Sequence, residues 1–597
     1  MTEPAPVCLL VEFSGGRAGS GPLTFGQRNA LDWIRNETDQ FSAVMRWRFE
    51  LPEGVTLADI GQSLSVLLSR HEALRTSYQI GDEPSQRVLG SGELPVAVHE
   101  LAGTGRDGGD DDEVAERLIT GLRQLGIDFT RELPLRVAVA TRDGLQVVMV
   151  AVYSHLAVDF ASIAMIGRQF AELAADPSLR QVGPPVHQPL DQAELERSSH
   201  GRRLADSALR YWETHLRAAP QSLYPVPPPA QPASGYLSAF LYSPAAGQAL
   251  GHIAQRTGVS RQAALLAALC AVLSVRSGVR RCTFVSVSGN RFRLRLRDYI
   301  GTLAQDGLVT LALDTAGFDE LAVRAKRATL AANTNSTFDS GALWRLIDEI
   351  GADRGIAFRR DVTVNDVSAH LEVESELALR DPLELPALRA ESTVEWAPSP
   401  PFPVLLMCNP FRVRPELHLA LTADTTRMAR AELAQLLLGV ENLLVAAAAG
   451  DVPVEKIGEL TGIRPVLRDA DWGLVDACWV RLSEVRRLLV EATGGRALAV
   501  LDRPAGPDGP AELVGYLALP EPSAGHGGAS EAGRRVGAGG LDTAEAVHRA
   551  CLELLRTPGW QCAMTPTRYL LCAGAPSDPD DEAAWRALPR IAAGTGR

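Results

Sequence analysis

Residues 145–160 read Leu-Gln-Val-Val-Met-Val-Ala-Val-Tyr-Ser-His-Leu-Ala-Val-Asp-Phe, an apolar run that ends in a histidine and, four residues later, an aspartate. Residues 145–153 have the continuous apolar and β-branched character of a buried strand. Residues 161–173 have the spacing of a helix. The sequence therefore predicts that a strand leads into His155 and a helix follows it, at the end of a sheet, where α/β folds commonly place functional sites.

The spacing His-x-x-x-Asp is weak evidence on its own. A chain with eleven histidines should contain about one such pair by chance. The pair His187 and Asp191 supplies a second match within a proline-rich stretch. The strand and the helix on either side of His155 distinguish it from that match. Without further evidence a structural histidine is the more common interpretation, so a chemical and a structural role both stay open.

The composition limits the class of protein. The chain has 597 residues, 46% of them apolar, which is enough for about three or four folded domains. The net charge is −13 and only Lys326 and Lys456 are lysines. This argues against a general nucleic-acid binder, because phosphate contacts need clustered basic side chains. We expect neither export nor membrane insertion, since there is no basic segment ahead of an apolar one at the N-terminus and no uncharged run of 18 apolar residues.

Eight cysteines are scattered through the chain without a Cys-x-x-Cys pair. This pattern is typical of reduced thiols in a cytoplasmic protein. We predict a cytoplasmic location and no metal site.

Three units follow from the pattern of predicted elements. We predict an N-terminal lobe over residues 1–182, a second lobe over 183–455 and a small α+β domain over 456–597. The proline-rich stretches at 183–189 and 225–232 are interpreted as linkers or surface crossings. We expect helices at 27–35, 56–68, 161–173, 204–216, 261–275, 321–332, 430–449, 479–492 and 543–555. We expect strands at 145–153, 283–287, 308–313, 404–408, 417–421, 497–501, 513–519 and 569–572, and a glycine-rich loop at 520–540.

Further segments of the chain form a recognisable series with the His155 motif. Residues 23–28 read Leu-Thr-Phe-Gly-Gln-Arg, and residues 70–76 read Arg-His-Glu-Ala-Leu-Arg-Thr. Residues 286–291 read Ser-Val-Ser-Gly-Asn-Arg, followed by Tyr-Ile-Gly-Thr-Leu at 299–303. In order and spacing these segments resemble motifs of nonribosomal peptide synthetase condensation domains, including their Arg-His-Glu-x-Leu-Arg-Thr and Ile-Gly-x-Phe-Val-Asn-Thr motifs. The resemblance covers about residues 7–450.

The resemblance implies a fold and a site. The fold class is α/β, with two chloramphenicol-acetyltransferase-like lobes in a V-shaped pseudo-dimer and a small C-terminal α+β domain. Donor and acceptor groups, each tethered by phosphopantetheine to a carrier protein, enter from opposite faces. The family pattern is His-His-x-x-x-Asp-Gly, and its second histidine, which serves the reaction, matches His155. The resemblance also implies the residues of the substrate tunnel, which are Phe25, Gln27, Gly301, Thr302 and Gln305.

The chemistry expected of His155 follows from the reaction. An acceptor amine must be neutral to attack a thioester and must lose a proton as the tetrahedral intermediate forms. An imidazole with a pKa near 6.5 can take that proton or hold the amine by a hydrogen bond. The family's matching aspartate pairs with an arginine and shapes the loop. Asp159 is therefore not expected to form a catalytic triad, and Arg75 and Arg291 are its candidate partners.

Three positions depart from the family pattern. Ser154 stands where the first histidine is expected, Phe160 replaces the glycine, and Gln305 aligns with the asparagine of the later motif. Ser154 is not expected to be a nucleophile, since no Gly-x-Ser-x-Gly turn surrounds it. A large side chain at Phe160 is expected either to narrow the tunnel or to mark a small acceptor.

Residues after 456 have a resemblance of their own. Residues 480–485, 513–516, 564–566 and 586–589 resemble the small C-terminal subdomain of adenylation enzymes. In that family a lysine seven residues before the closing proline contacts the substrate, and Glu582 takes its place here. A glutamate would repel a triphosphate, and the large ATP-binding core is missing from the sequence. We predict a degenerate docking or stabilising appendage rather than an adenylation unit.

The leading prediction is a free-standing condensation enzyme. It joins a carrier-tethered acyl or aminoacyl thioester to an amine or hydroxyl acceptor, forming an amide or an ester. Its partners are carrier proteins, and the phosphopantetheine arms of those carriers are the only cofactor expected. Two alternatives stay open: a catalytically inactive condensation-like scaffold that recruits carriers or tailoring enzymes, and an acyltransferase that uses coenzyme A directly.

Overall fold

The computed structural model describes residues 6–36, 44–101, 111–181, 183, 187–229, 231–371, 378–402, 404–502, 511–519, 543–557 and 559–597. The glycine-rich loop predicted at 520–540 lies outside these residues. So do residues 184–186 of the proline-rich stretch predicted at 183–189.

The first lobe is built on a five-stranded mixed sheet. The strands of this lobe are β1 (Val7–Ser14), β2 (Gly19–Pro22), β3 (Val44–Arg48), β4 (Thr76–Gln79), β5 (Ser85–Val88), β6 (Ser91–Glu100), β7 (Leu135–Arg142) and β8 (Leu145–Ser154). The helices are α1 (Phe25–Asn36), α2 (Leu57–Arg70), α3 (Asp111–Leu125), α4 (Phe160–Ala175) and α5 (Pro189–Arg197), and α6 (Ser199–Leu216) follows and packs on the second lobe. The large sheet has the order β1-β6-β7-β8-β3, with β6 and β7 parallel, and β2, β5 and β4 form a small sheet.

Burial on both faces explains the uninterrupted apolar run of strand β8. Successive side chains of β8 enter two hydrophobic cores, one shared with α2 and α4 and the other with α3. A strand covered by helices on both sides has no solvent face and needs no polar alternation. The strand is therefore fixed up to its last residue, Ser154, and His155 follows directly.

The second lobe contains a seven-stranded sheet. Its strands are β9 (Tyr236–Ser243), β10 (Arg281–Ser288), β11 (Gln305–Ala312), β12 (Val362–Val364), β13 (Thr393–Ser399), β14 (Leu406–Arg412) and β15 (Leu417–Asp424). Its helices are α7 (Pro244–Thr257), α8 (Arg261–Ser277), α9 (Phe318–Thr334), α10 (Ser340–Arg354), α11 (Ser368–Leu371), α12 (Leu385–Leu388) and α13 (Arg430–Ala449), and α14 (Ile457–Thr461) follows. The strand order is β11-β10-β12-β14-β15-β9-β13.

The C-terminal unit has a hairpin and a four-stranded sheet. Its strands are β16 (Trp472–Val475), β17 (Cys478–Arg481), β18 (Ala497–Asp502), β19 (Glu512–Ala518), β20 (Arg568–Cys572) and β21 (Arg590–Gly594). Its helices are α15 (Leu482–Thr493), α16 (Ala544–Leu555) and α17 (Glu582–Ala587). The hairpin pairs β16 with β17, and the sheet has the order β18-β19-β20-β21.

The end of α10 anchors the C-terminal unit to the second lobe. The guanidinium of Arg354 donates to the backbone carbonyls of Leu216 and Ala219 and pairs with Asp476 at 2.8 Å. Two residues further on, Ile356 is buried in the hydrophobic core of the C-terminal unit. The two units therefore share core residues instead of touching only through surface side chains.

Two sequence predictions need correction. The helix predicted at 479–492 begins only at Leu482, because the preceding residues form β17 of the hairpin. The proline-rich stretch at 183–189 ends inside α5, since Pro189 is the first residue of that helix, where a proline is tolerated. Helix α5 also contacts the first lobe, where Asp191 pairs with Arg17.

Membrane-spanning character is limited in the described part of the chain to one helix and one bent pair. Helix α13 is long and apolar enough to span a bilayer, and 61% of its most apolar window is buried inside the protein. Helices α7 and α8 pass the same test only if they are counted together across a 105° bend. Burial of this kind is that of a core helix. All eight cysteines are unpaired, and all except Cys8 are buried.

Candidate active site

The carboxylate of Asp159 organises the turn between β8 and α4. Asp159 is the N-cap of α4 and accepts a hydrogen bond from the backbone N–H of Ser162 at 3.0 Å. It also accepts from the N–H groups of Leu303 and Ala304. Burial pushes the pKa of Asp159 upward, but the charge and hydrogen bonds of Arg291 outweigh this and hold the pKa below its ordinary value. The carboxylate is therefore ionised, and both of its oxygens accept hydrogen bonds that hold the turn in place.

Arg291 connects the two lobes through this carboxylate. It lies in the segment after β10, and its two terminal nitrogens each donate to one oxygen of Asp159 at 2.8 Å. The same guanidinium donates to the hydroxyl of Ser162 and to the carbonyl of Gly301. A bidentate pair of this kind is among the strongest polar contacts available to side chains. It fixes the first turn of α4 against the second lobe.

Arg75, the other candidate partner of Asp159, is used elsewhere. Its guanidinium donates to the backbone carbonyls of Arg17 and Leu89. Its neighbour Glu72 pairs with Arg17 at 2.6 Å. The Arg-His-Glu segment therefore holds the backbone around the small sheet in place. Of the two candidate arginines, only Arg291 contacts Asp159.

The backbone of His155 is held from the second lobe. The hydroxyl of Thr302 donates to the carbonyl of His155 at 2.6 Å. On the other side of the turn, the hydroxyl of Tyr78 donates to the carbonyl of Leu156. Ser154 is buried, and its hydroxyl accepts from the N–H of Leu156 at 3.3 Å. Serine at this position therefore supports the turn and does not face the cleft.

The imidazole of His155 is neutral at neutral pH. Burial lowers its pKa below the ordinary value of 6.5, whereas the backbone carbonyls of His155 and Val158 and the charge of Asp159 act in the opposite direction. Its Nδ1 atom is sealed from solvent, while the residue as a whole is partly exposed. This leaves Nε2 as the nitrogen that faces the cleft. A neutral imidazole with an accessible nitrogen can accept a proton.

Two aromatic residues that sequence reasoning did not single out stand beside this imidazole. Trp33 of α1 meets His155 edge to face, with 5.6 Å between ring centroids. Phe402 of the second lobe lies 6.3 Å from Trp33. Trp33 follows the motif at 23–28 by little more than one helical turn, so the helical spacing offered a signal. Phe402 lies in an irregular stretch with no periodic pattern that could have indicated it.

Phe160 contacts both lobes at the start of α4. Its ring lies 6.2 Å from that of Trp47 on β3 and 6.3 Å from that of His370 on α11. The indole of Trp47 in turn lies against Gly167, where any side chain would overlap it. Burial and the charge of Arg291 lower the pKa of His370. Phe160 therefore fills space between the two lobes at the start of α4.

The residues predicted to line the tunnel are divided between two roles. Gln27 is buried and donates to Gln86 at 3.0 Å, and Gln305 is buried and donates to the carbonyl of Phe338 at 2.9 Å. Both amides thus make hydrogen bonds inside the protein, and their lining of a tunnel stays a prediction. Thr302 holds His155, as described above. Gly301 accepts from Arg291, and a side chain there would overlap the ring of Tyr299.

Phe25 begins α1 and is partly exposed at a cavity of about 230 Å³, which Gln305 also touches. The backbone N–H of Phe25 donates to Glu196 at 2.6 Å. Of the predicted tunnel residues, Phe25 therefore presents its side chain to open space.

Glu582 lies apart from this site in the C-terminal unit. It pairs with Arg586 at 2.8 Å and with Arg486 at 3.5 Å, and Arg586 also pairs with Asp502. The position that holds a lysine in adenylation enzymes is thus part of a partly exposed network of ion pairs.

A two-lobed α/β protein with a histidine held at the lobe interface by an Asp–Arg pair has the architecture of a chloramphenicol-acetyltransferase-like acyl transferase. Residues 18–376 match the sequence profile of the condensation domain, and the chain belongs to that family. Condensation domains of nonribosomal peptide synthetases are in general amide-forming acyltransferases that work with phosphopantetheine-carrying carrier domains.

Individual relatives are distant. The chain is 26% identical, over 59% of its length, to a probable non-canonical nonribosomal peptide synthetase, CymA of Salinispora arenicola, and spans 5% of that protein. It is 24% identical, over 56% of its length, to the phosphinothricin tripeptide synthetase PhsC of Streptomyces viridochromogenes, and spans 31% of it. The first condensation domain of the calcium-dependent antibiotic synthetase superposes with a TM-score of 0.54 at 16% identity, covering 73% of this chain and 98% of that domain. The predicted V-shaped, two-lobed fold is confirmed.

Proposed function

We propose that this protein joins a carrier-tethered acyl or aminoacyl thioester to an amine or hydroxyl acceptor, with His155 as the base. The observation that carries the proposal is the arrangement of the imidazole. Its Nδ1 is buried, its pKa is lowered, and its backbone is held across the lobe interface by Thr302. A neutral imidazole in a fixed position is what general base catalysis requires.

The reaction can be written with His155 as the only proton carrier. The acceptor nitrogen or oxygen attacks the thioester carbonyl and gives its proton to Nε2 as the new bond forms. The tetrahedral intermediate then collapses, the carbon–sulfur bond breaks, and the proton passes from His155 to the departing thiolate of the phosphopantetheine arm. General base catalysis of this kind typically contributes about 10²- to 10⁴-fold in rate. Holding both substrates on carriers could contribute a larger factor through proximity.

Asp159 has no part in this proton transfer. Its carboxylate is paired with Arg291 and accepts three backbone N–H groups, so it acts on the imidazole through its charge and not through a hydrogen bond. In this proposal His155 transfers the proton, and Asp159 and Arg291 hold the turn that positions it. This differs from a Ser-His-Asp triad, in which the aspartate binds the imidazole.

Intact-mass measurement of carrier domains tests the proposal. A donor carrier loaded with an acyl group and an acceptor are mixed with wild-type protein or with His155→Ala. Wild type should transfer the acyl group to the acceptor, and His155→Ala should lose transfer while staying folded. Equal transfer by both proteins would exclude His155 as the base.

A second function, an inactive scaffold of the same fold, is favoured by Phe160. Its ring occupies space between Trp47 and His370 where the family has a glycine. A protein of this kind would bind a carrier or a tailoring enzyme without turnover. Carrier binding by wild type, together with no acyl transfer from any loaded carrier, would establish this alternative over the first.

For the C-terminal unit we propose a stabilising role. The shared core at Ile356 and the anchoring of Arg354 support a fixed attachment. Glu582 stands where adenylation enzymes have a lysine, and it pairs with Arg486 and Arg586. We also propose that the protein acts in the cytoplasm together with carrier proteins.

A further inference from the structure

Three aromatic rings from the two lobes meet at the imidazole of His155. The ring of Trp33 meets His155 edge to face, with 5.6 Å between centroids and 72° between the ring planes. The ring of Phe402 lies 6.3 Å from that of Trp33 and is tilted by 44°. All three residues are partly exposed, so their side chains are not sealed in a core. Partly exposed aromatic side chains at the junction of two lobes are typical of ligand sites, which are lined largely by apolar and aromatic residues.

Contacts along α1 hold Trp33 in this position. Near the start of the helix, Gly26 lies so close to the carbonyl of Thr302 that a side chain on it would overlap that carbonyl. Next to Trp33 in the sequence, Asp32 accepts a hydrogen bond from the hydroxyl of Ser340 on α10 at 2.5 Å. The helix is thus fixed at two points against the second lobe. Trp33 therefore presents a rigid aromatic surface that needs little ordering when a ligand binds.

Phe402 is carried by a short irregular segment of the second lobe. The segment connects β13 to β14, and residues 400–403 read Pro-Pro-Phe-Pro. The N–H of Val404 donates to the carbonyl of Phe402 at 2.8 Å. Proline fixes the backbone torsion φ, so a segment this rich in proline has few conformations to lose. Phe402 is thus positioned against Trp33 without being part of a helix or a strand.

The position of these rings relates them to the acceptor more than to the donor. In the proposed reaction the attacking nitrogen or oxygen gives its proton to Nε2 of His155, so these two atoms must lie about 3 Å apart. The centre of the indole of Trp33 is 5.6 Å from the centre of the imidazole. A group two or three bonds from the attacking atom can therefore reach van der Waals contact with the indole, at about 3.5–4 Å between carbon atoms. The acyl chain of the donor begins one bond further from Nε2, beyond the carbonyl carbon.

We propose that Trp33 and Phe402 determine the specificity for the acceptor, and that they select an acceptor with a flat aromatic ring two or three bonds from its nucleophilic amine or hydroxyl. The inference rests on the proposed function, which supplies the reaction and the role of Nε2. Aromatic rings attract one another edge to face or offset through their quadrupoles, in addition to the burial of apolar area. A saturated ring of the same size lacks this attraction. The protein should therefore distinguish a flat ring from a puckered ring of equal carbon number.

Binding of two matched alcohols tests this selection without turnover. The alcohols are 2-phenylethanol and 2-cyclohexylethanol, which are uncharged and have the same number of carbon atoms. Each is titrated into the full chain, and displacement of 2-(4-fluorophenyl)ethanol is followed by fluorine NMR. Wild type should bind the phenyl alcohol about threefold or more tighter than the cyclohexyl alcohol. A surface that is merely apolar would give the opposite order, because the cyclohexyl ring has the larger apolar area.

Variants that keep an apolar side chain but remove the flat ring should change this preference. Trp33→Leu should bind the cyclohexyl alcohol at least as tightly as the phenyl alcohol, and Phe402→Leu should reduce the preference of wild type about twofold. Trp479→Leu is the matched control, because it removes an indole from the hairpin of the C-terminal unit, and it should keep the wild-type ratio. Circular dichroism shows whether each variant is folded.

Three results would overturn the role given to these rings. These are equal or weaker binding of the phenyl alcohol by wild type, no binding of either alcohol by wild type, and the wild-type ratio in both Trp33→Leu and Phe402→Leu. Failure of the proposed function gives a different result. In that case wild type prefers the phenyl alcohol and Trp33→Leu loses the preference, but wild type transfers no acyl group from any loaded carrier.

Discussion

The pair formed by Asp159 and Arg291 explains how a turn between a strand and a helix holds an imidazole in one position. The carboxylate caps α4, accepts from the 303–304 backbone and receives both nitrogens of an arginine from the other lobe. Both side chains are largely withdrawn from water. A buried pair of this kind contributes little net stability by itself, but the loss of one member leaves an uncompensated charge.

Arg291→Met should destabilise the protein by about 3–5 kcal/mol, because it leaves the Asp159 carboxylate buried without its counter-ion. The double variant Asp159→Asn/Arg291→Met should be more stable than Arg291→Met alone, since asparagine keeps the N-cap and carries no charge. Denaturant unfolding measures both. A loss below about 1 kcal/mol for Arg291→Met would contradict the role given to this pair.

When the rate of acyl transfer is measured across pH, its fall on the acidic side should lie below pH 6.5. Burial lowers the pKa of His155, and the base works only when neutral. The rate should therefore be at its maximum above the pKa of His155 in the folded protein and should fall as the pH drops through that pKa. The rate of acyl transfer, measured across pH with Glu196→Gln as a control, checks this. Glu196 is the control because its pKa is about 7. If the rate already falls between higher pH and pH 7, and does so in Glu196→Gln as well as in wild type, the role given to His155 is contradicted.

At this scale the sequence predicted His155 and narrowed the partner of Asp159 to two arginines. It could not choose between them, because Arg75 and Arg291 both lie in family motifs and only the packing shows which guanidinium reaches the carboxylate. The tunnel roles of Gln27 and Gln305 stay predictions, because both amides make internal hydrogen bonds while Gln305 also borders a cavity. A motif records that a residue matters and does not record whether it faces a cleft or a core.

At the scale of elements, the first turn of α4 determines the shape of the cleft. Phe160 is its first residue and lies between Trp47 on β3 and His370 on α11. Trp47 can occupy its position because Gly167 on the same helix has no side chain. Three elements from two lobes thus meet at one aromatic cluster.

Phe160→Gly should widen the range of acyl groups that the protein transfers. Removing the ring opens the space between β3 and α11, so transfer of bulky acyl groups should rise relative to transfer of small ones. Phe160→Tyr keeps the ring and should leave this ratio unchanged. Competition between a large and a small acyl carrier, measured by intact mass, gives the ratio directly. An identical ratio in wild type and Phe160→Gly would show that Phe160 does not restrict the substrate.

The end of α10 offers a matched test of how the C-terminal unit is attached. Gly355 and Gly258 both end a helix with positive φ, at 71° and 68°. A side chain at Gly355 would overlap Thr565 of the C-terminal unit, whereas a side chain at Gly258 meets open space. Gly258→Ala should cost about 1 kcal/mol from backbone strain alone. Gly355→Ala should cost about 1–3 kcal/mol more, because it also displaces the attached unit.

Thermal unfolding and limited proteolysis check this difference. In Gly355→Ala the C-terminal unit should be released by protease faster than in wild type, and Gly258→Ala should behave like wild type. Equal stability losses for the two variants would show that the attachment is not tightly packed at Gly355.

Long periodic segments of the chain were predictable, and short paired ones were not. The run at 145–153 and the helix at 430–449 are strong patterns, and both elements are present. The hairpin of β16 and β17 has only four residues per strand. Its second strand ends at Arg481 and α15 begins at Leu482 with no turn residue between them, so the sequence pattern predicted a helix from 479.

For the molecule as a whole, membership of the family establishes the fold. The case for activity rests on the geometry around His155. The chain spans 5% and 31% of the two curated relatives described above. Two motifs placed about 130 residues apart in sequence meet at Asp159 and Arg291, which is why the order of motifs predicted the lobes. The contacts of Trp33 with His155 and Phe402 depend on how the two lobes pack together, and no spacing in the sequence encodes that packing.

The most direct test of the central claim is the single-turnover rate of acyl transfer from a loaded carrier, with wild type, His155→Ala and His252→Ala. His252 lies on α7, and its Nε2 donates to the carbonyl of Arg380, so its variant controls for loss of a histidine. If His155 is the base, His155→Ala should be about 10²- to 10⁴-fold slower than wild type, and His252→Ala should match wild type. Transfer by His155→Ala at the wild-type rate would contradict the account.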